Sequence, residues 1–293
     1  MTVFTEFAPA KINLTLEVLG KRPDGYHEIQ SLVAFARDAG DVVTLDTLRP
    51  VGSDVTGPFG ATIAGKNLID VTLVKLAAAD PRLRLGYVTL TKNLPVAAGI
   101  GGGSADAAAL LRAVRRANPD IAASIDWHAI ARGLGADVPV CVQRCLSWIT
   151  GAGEHVEPIR LSPPLVLHAV VANPLVPVPP DKTTQVFRAL QTKPLAIDFN
   201  SSPPPTWQND SAGVFQFIRA SSNDLESAAL TVVRKIAVVL RELRESPKCL
   251  LARMSGGGPT CFAIFETADA AESARAILAA ARPAWWVVKT ELG

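Results

Sequence analysis

The stretch LPVAAGIGGGSADAAA, residues 94–109, decides how the rest of the chain is interpreted. Its glycines, Gly99 and Gly101 to Gly103, lead directly into an alanine-rich segment that predicts a helix. The free N–H groups at a helix N-terminus and the positive end of the helix dipole both attract phosphate. Because glycines leave no side chain between backbone and ligand, the stretch predicts an anion-binding loop.

The familiar phosphate motifs do not describe this glycine loop. Gly99 and Gly101 begin a G-x-G pattern, but the next glycine that a dinucleotide fingerprint requires is Ser104 here. The Walker pattern needs Gly-Lys-Ser/Thr, which neither Gly20-Lys21-Arg22 nor Gly65-Lys66-Asn67 supplies. The glycine loop is therefore of another kind.

Composition favours a protein that acts on small molecules. A chain of 293 residues with 48% hydrophobic content can bury a large core, and we expect two domains. The net charge of +2 is spread without basic runs, which argues against a nucleic acid or a membrane as partner. The chain shows neither a signal-peptide h-region nor an apolar run of membrane-spanning length, so we expect a cytoplasmic protein. The sequence leaves its oligomeric state open.

The four cysteines have neither metal-site nor disulfide spacing, and we expect buried, reduced thiols at Cys141, Cys145, Cys249 and Cys261.

Hydrophobic periodicity predicts an α+β fold. Before the glycine loop it predicts strands over Ile12–Val18, Glu28–Ala36, Asp41–Leu48 and Val88–Lys92, with a helix over Asn67–Ala79. A proline pair near residues 161–164 marks the domain boundary, giving domains at 1–161 and 162–293. The second half predicts a β-α-β-β-α-β order that includes a helix over Leu225–Leu243. The Pro/Ser-rich insert at 194–205 has no role that the sequence reveals.

Three islands of sequence resemble the GHMP family of small-molecule kinases. They are Pro9–Leu14, Pro95–Ala105 and Met254–Gly258, and they occur in this order along nearly the whole chain. The resemblance implies a two-domain fold, with an N-terminal ATP-binding domain like domain 2 of ribosomal protein S5. It also implies a ferredoxin-like, substrate-side C-terminal domain.

Two further matches, Arg22–His27 and Leu134–Pro139, resemble one branch of this family. That branch implies transfer of the γ-phosphoryl group of ATP to the 2-hydroxyl of a methylerythritol unit that carries CDP. The reaction would belong to the non-mevalonate isoprenoid pathway. Mg²⁺ is expected because ATP reacts as its metal complex, but no ligand for it is identified.

The resemblance also assigns roles to individual residues. ATP binding falls to Pro95, Gly99, Gly101, Gly102, Gly103 and Ser104. Asp137 would orient the acceptor hydroxyl and take its proton, and Lys11 would stabilise the transferred charge. The acceptor would be bound by Asn13, Tyr26, His27, Phe187, Gly256 and Gly257, with Tyr26 and Phe187 stacking on the cytosine ring.

Local sequence leaves an ordinary structural role open for several of these residues. Asp137 precedes a proline where a helix N-cap is expected, and Lys11 is also typical of a solvated strand lysine. Phe187 also suits the core face of a helix, and Asn13 an outward-facing position. Gly256 to Gly258 also suit a tight hairpin.

Two acidic positions near these motifs also have ordinary explanations. Asn223 and Glu226 have capping-box spacing, which is the interpretation that we favour for them. Asp106 suits the dipole of the first helical turn.

Two alternative functions also fit the sequence. One is another GHMP kinase, of the homoserine or mevalonate type. The other is a non-catalytic nucleotide-binding protein of the same fold.

Overall fold

The computed structural model describes residues 2–63, 65, 67–195, 203–205 and 210–293. The chain forms two compact units that interleave along the sequence. Unit 1 comprises Met1–Lys11, Ala39–Val96 and Gly101–Arg144, and unit 2 comprises Ile12–Asp38, Ala97–Ile100 and Cys145–Gly293. The predicted division at 161 and 162 stays a prediction. Most of the insert at 194–205 lies outside the described residues.

The described strands are β1 (Val3–Asn13), β2 (Glu17–Lys21), β3 (His27–Asp46), β4 (Gly52–Thr56), β5 (Tyr87–Thr91), β6 (Ser147–Gly151), β7 (His155–Pro158), β8 (Leu167–Asn173), β9 (Cys249–Met254), β10 (Cys261–Phe265) and β11 (Trp286–Leu292). The described helices are α1 (Leu68–Ala79), α2 (Gly102–Ala117), α3 (Trp127–Leu134), α4 (Val138–Gln143), α5 (Lys182–Leu190), α6 (Ser211–Ala220), α7 (Leu225–Val232), α8 (Lys235–Glu245) and α9 (Ala268–Ala281).

Unit 1 is built around α2, the alanine-rich helix that follows the glycine loop. This helix packs against α1, α3 and α4, and its buried face consists mostly of alanine, which allows close approach of the neighbouring helices. Beside these helices, β4 runs parallel to β5, and β5 pairs antiparallel with the C-terminal part of β3. The predicted helix over 67–79 is confirmed, because Asn67 and Asp70 form a capping box at the start of α1.

Unit 2 contains an antiparallel sheet in the order β9-β10-β8-β11. Helices α8 and α9 pack against this sheet over a shared apolar core. The β-α-β-β-α-β order is confirmed, although the described part of the first crossover contains four helices. This is the ferredoxin-like arrangement. In the same unit, the N-terminal part of β3 pairs with β2 and β6, and β6 pairs with β7.

Several predicted element boundaries are wrong. The alternation over Ile12–Val18 is not one strand, because β1 ends at Asn13 and the Leu16 N–H turns away to donate to the Ser222 carbonyl. The two strands predicted over 28–36 and 41–48 are one long strand, β3. The helix predicted over 225–243 is two, α7 and α8, and strands β4, β6 and β7 were not predicted.

All four cysteines are free thiols, as expected. Two of them, Cys141 and Cys261, are buried, whereas Cys145 and Cys249 are only partly buried. Among the helices of the described ranges, none has both the length and the apolar character needed to cross a membrane.

Candidate active site

The glycine loop (residues 95–104) joins buried Pro95 to the start of α2. Gly101 occupies the N-cap position with φ +62°, and it offers no side chain to cap the helix. A Cβ at Gly101 would lie 3.2 Å from Cβ of Lys11, whereas a Cβ at Gly103 would meet open space. The first amides of α2, at Gly102 to Ser104, have no intrahelical acceptor, so they suit an incoming phosphate.

Lys11 and Asp137 form an ion pair in the same unit as the start of α2. The Lys11 Nζ donates to Asp137 Oδ1 at 2.9 Å, and Lys11 is only 5% exposed. Asp137 does occupy the N-cap position of α4, but its backbone is helical and its side chain makes no capping hydrogen bond. The N-cap role for Asp137 and the solvated position for Lys11 are therefore both wrong. The Asp137 side chain is 37% exposed and remains accessible to a ligand.

A buried charge cluster lies at the start of α2, and the sequence did not reveal it. The Lys92 Nζ donates to Asp41 Oδ2 at 2.5 Å and to Asp106 Oδ2 at 2.7 Å. Asp41 Oδ1 also accepts from the amides of Asn93 and Leu94, which fixes the chain just before Pro95. Asp106 is therefore a buried hydrogen-bond acceptor of Lys92 that lies beyond the first turn of α2, and its predicted dipole role in the first turn is wrong.

Burial and neighbouring charges of opposite sign act in opposite directions on the pKa values of Asp106 and Lys92. Burial raises the pKa of Asp106 to about 8, and the nearby Asp41 carboxylate adds to the rise. Burial opposes the charge on Lys92, but the two carboxylates outweigh it and raise the pKa of that ammonium. A Cβ at Gly102 would lie 3.1 Å from the Lys92 Nζ, so glycine at this position allows the loop to approach the cluster.

Arg112 links the three elements that carry the predicted catalytic and ATP-binding residues. Its guanidinium donates to Glu6 Oε2 at 3.0 Å, to the Phe7 carbonyl at 2.9 Å and to the Cys141 carbonyl at 2.9 Å. These acceptors lie on β1 and α4, and Arg112 itself lies on α2. Burial opposes ionisation of Glu6, but hydrogen bonds from Arg116 and Arg112 hold its pKa below the ordinary value.

In unit 2, the turn between β9 and β10 packs backbone to backbone against residues 97–100. Gly256 and Gly258 have positive φ angles, and a Cβ at Gly256 would lie 2.7 Å from the Gly99 carbonyl oxygen. The Ser255 hydroxyl donates to that same oxygen at 3.1 Å. A Cβ at Gly257 would meet nothing within 4 Å. The turn thus needs Gly256 for the close approach to Gly99, whereas Gly257 is not required for that contact.

Asn223 holds this turn in place. Its Nδ2 donates to the carbonyls of Met254 at 2.8 Å and Gly256 at 2.9 Å. Glu226 accepts from the Met254 amide and from Arg244. The predicted capping box is therefore wrong, because Asn223 Oδ1 accepts from the Leu225 amide instead of the Glu226 amide, and the Glu226 side chain contacts other elements.

A cavity of 550 Å³ in unit 2 is lined by the predicted cytosine-binding residues Tyr26, His27 and Phe187. The His27 and Phe187 rings stack with centroids 4.4 Å apart, so one face of Phe187 is already covered. Tyr26 is 63% exposed. Burial, and then the charge of Lys21, lower the pKa of His27, which favours the neutral imidazole. A base between Tyr26 and Phe187 stays a prediction.

Asn13 does not face outward as one interpretation of the sequence allowed. It is 1% exposed, and its Nδ2 donates to the Ser31 hydroxyl at 2.8 Å. Its amide donates to Ser255 Oγ at 3.1 Å. Asn13 Oδ1 has no hydrogen-bond partner within the described ranges, which leaves an acceptor for a ligand hydroxyl.

The residues present do not fit a protein-held metal site. Among the residues with described positions, no three His, Cys, Asp or Glu side chains are grouped to hold an ion. Asp41 and Asp106 are buried carboxylates at the start of α2, and both accept from Lys92. Asp106 Oδ1 has no hydrogen-bond partner within the described ranges, but one free carboxylate oxygen does not make a metal site.

Comparison with known proteins places the chain in a family. The profile of the GHMP kinases N terminal domain matches residues 66–144, and that of the GHMP kinases C terminal domain matches residues 208–284. A protein from Methylobacterium radiotolerans named 4-diphosphocytidyl-2-C-methyl-D-erythritol kinase is 47% identical over 298 aligned residues, covering 100% of both chains. The chain belongs to the GHMP kinase family.

Further proteins similar to this GHMP kinase have the same name as the Methylobacterium protein or have the same fold as this chain. The one from Roseobacter denitrificans is 43% identical over 98% of this chain and 93% of its own length. A crystal structure of a 4-(cytidine 5'-diphospho)-2C-methyl-D-erythritol kinase superimposes with TM-score 0.74 at 29% identity, covering 99% of both chains. A homoserine kinase from Cytophaga hutchinsonii, with TM-score 0.66 at 16% identity over 99% of this chain and 95% of its own, shows the fold alone. The predicted two-domain α+β fold is confirmed.

Proposed function

We propose that this GHMP kinase transfers the γ-phosphoryl group of ATP to the 2-hydroxyl group of 4-diphosphocytidyl-2-C-methyl-D-erythritol. The reaction belongs to non-mevalonate isoprenoid precursor synthesis and takes place in the cytoplasm. Relatives of that name at 43% and 47% identity support the choice of acceptor. The observation that carries the chemistry is the ion pair of Lys11 and Asp137, in the unit that also holds the start of α2.

In the proposed reaction, the Asp137 carboxylate orients the 2-hydroxyl group and accepts its proton. The hydroxyl oxygen forms a bond to the γ-phosphorus atom. The bond from that phosphorus to the oxygen that bridges it to the β-phosphorus breaks, and ADP leaves with the electron pair. Asp137 then returns the proton to solvent. The exposed part of the Asp137 side chain is what makes it available for this exchange.

The charge that develops on the transferred group needs fixed positive partners. Lys11 supplies a buried cation, held in one position by Asp137. The first amides of α2, together with the Ser104 hydroxyl, hold the nucleotide phosphates. We also assign Pro95 and Gly99, earlier in the glycine loop, to ATP binding. Mg²⁺ would enter as part of the ATP complex and would neutralise phosphate charge there, and we assign it no protein ligand.

Recognition of the acceptor falls to unit 2. We assign recognition of the polar edge of cytosine to His27, through its neutral imidazole ring and its backbone. Tyr26 and Phe187 supply the aromatic surface for the base. Asn13 Oδ1 accepts from an erythritol hydroxyl, and the Gly256–Gly257 backbone approaches the diphosphate. Along the chain we retain residues 1–161 as the ATP-binding, catalytic domain and 162–293 as the substrate-side domain, although Asn13, Tyr26 and His27 then lie in the first of these.

An ADP-release assay tests this proposal against the alternatives. The purified protein is given ATP and either the CDP-linked acceptor, its UDP analogue, homoserine or mevalonate. We expect ADP release with the CDP-linked acceptor and much slower release with the other three. Comparable rates with homoserine or mevalonate contradict the proposed acceptor. ATP binding without ADP release for any acceptor indicates a non-catalytic protein.

A further inference from the structure

Lys182, the first residue of α5, is a buried lysine that no sequence motif singled out. It is only 4% exposed. Its Nζ donates to the Ala97 carbonyl at 3.0 Å and also to the Gly258 carbonyl. No carboxylate forms an ion pair with it within the described part of the chain. Burial lowers the pKa of this ammonium to about 8.

The two carbonyls belong to the two glycine segments of unit 2. Ala97 has φ +55° and begins the four-residue part of the glycine loop that lies in this unit, residues 97–100. Gly258 ends the turn between β9 and β10. Helix α5 also carries Phe187, which lines the 550 Å³ cavity. The Lys182 ammonium group therefore connects α5, which lines the cavity, to the glycine loop and to the turn between β9 and β10.

Stability does not explain a lysine at this position. A buried charge without a counter-charge is costly, and the two hydrogen bonds that Lys182 donates to backbone carbonyls offset only part of that cost. A residue that costs stability and bridges two ligand-binding segments is typical of a functional position.

We propose that Lys182 is a positioning residue that holds residues 97–100 of the glycine loop, and the turn at Gly258, against α5. This inference rests on the proposed kinase reaction. Lys182 acts through the backbone carbonyls that it binds and touches neither substrate. Its charge keeps both carbonyls bound, so loss of the charge loosens the loop.

The charged groups around Lys182 are occupied elsewhere. On α5, Arg188 lies on the cavity, and Asp181, just before the helix, accepts from Gln185. On α7, which packs against α5, Glu226 accepts from Arg244. The segments 97–100 and 255–260 contain no titratable side chain. The pKa of Lys182 is therefore lowered by burial and not by a neighbouring charge.

The test compares Lys182→Met and Lys182→Arg with the wild type, and uses the exposed Lys235→Met as a matched control. We expect Lys182→Met to stay folded at pH 7, because removal of a buried charge offsets the loss of its two hydrogen bonds. We expect its kcat/KM for the acceptor and its affinity for the ATP analogue AMP-PNP to fall by about tenfold or more, because hydrogen bonds from a charged donor are lost. The Lys235→Met control should match the wild type in each measurement.

The pH dependence separates positioning from a plain structural role. Wild-type kcat/KM and AMP-PNP affinity should decline above about pH 8, where Lys182 loses its proton. Lys182→Arg keeps its charge at this pH and should lose that decline while retaining part of the activity.

Wild-type activity and affinity in Lys182→Met, or an unchanged alkaline decline in Lys182→Arg, overturn the inference. A wild type without kinase activity refutes the proposed reaction instead, and AMP-PNP binding then still decides the role of Lys182. If Lys182→Met does not fold, the pH profiles of wild type and Lys182→Arg decide it.

Discussion

Replacing Asp137 by asparagine removes one charge and keeps the size of the side chain. In the wild type, Asp137 Oδ1 accepts from the Lys11 Nζ at 2.9 Å, and an asparagine oxygen can occupy the same place. The variant therefore keeps a hydrogen bond to Lys11 but has no carboxylate to receive the acceptor proton. We expect kcat to fall while the affinity for ATP stays nearly unchanged.

The loss of rate and the loss of stability in Asp137→Asn can both be estimated. Loss of a positioned general base lowers rates by about 10²–10⁴-fold, which is about 3–5 kcal/mol of transition-state stabilisation. A neutral hydrogen bond replaces a charged one, and the Asp137 side chain is 37% exposed, so the free energy of unfolding should fall by only about 1–2 kcal/mol. A loss of about 1–2 kcal/mol leaves the variant folded, because domains are typically stable by about 5–15 kcal/mol. Unfolding therefore does not explain the loss of rate.

The assay measures kcat by ADP release at saturating substrates, ATP affinity by calorimetry and stability by thermal unfolding. Asp120→Asn is the matched control, because this aspartate lies in the same unit with a side chain that is 80% exposed. It should leave all three measurements unchanged. A kcat for Asp137→Asn within about threefold of the wild type removes this carboxylate from the mechanism.

Three further predictions concern other parts of the two units. His27→Ala should raise KM for the CDP-linked acceptor about tenfold or more and leave KM for ATP unchanged. Burial raises the pKa of Asp106 to about 8. Between about pH 4 and 8 the native protein therefore holds a proton that the unfolded chain has released. Wild-type stability should therefore fall between about pH 4 and 8, and Asp106→Asn should flatten this fall. Arg112→Lys keeps its charge near Glu6 but loses the fork that binds the Phe7 and Cys141 carbonyls, so kcat should fall several-fold with both KM values unchanged.

Each of these predictions has a contradicting result. Equal increases of both KM values in the His27 variant point to misfolding or to another pocket. A pH dependence of thermal unfolding that is the same in wild type and Asp106→Asn shows that Asp106 does not hold the proton. A wild-type kcat in Arg112→Lys shows that its carbonyl contacts do not position the reacting groups.

Local sequence predicted much of the fold, because local interactions decide many of its elements. The glycine loop and the alanine-rich helix α2 follow from backbone freedom and side-chain size. The capping box at Asn67 starts α1, and the predicted order of strands and helices in the second half is found. Where a strand continues through polar residues, as β3 does at Asp38, the pattern wrongly indicated two strands.

The site was harder to predict because its decisive contacts join residues that are far apart in sequence. Asp137 has the local signature of an N-cap, and only its contact with Lys11, 126 residues away, shows that its side chain is used differently. Asn223 likewise has capping-box spacing but binds the turn at Gly256. Lys92 and Lys182 belong to no motif, and their burial is visible only in the folded chain.

Identification of the phosphorylated product tests the central claim most directly. The protein is incubated with ATP and 4-diphosphocytidyl-2-C-methyl-D-erythritol, and the product is examined by ³¹P and ¹³C NMR. The account predicts one new phosphomonoester on the oxygen of the tertiary C2 carbon, formed together with an equal amount of ADP. A phosphate on a different hydroxyl group, or ADP with only inorganic phosphate, contradicts it.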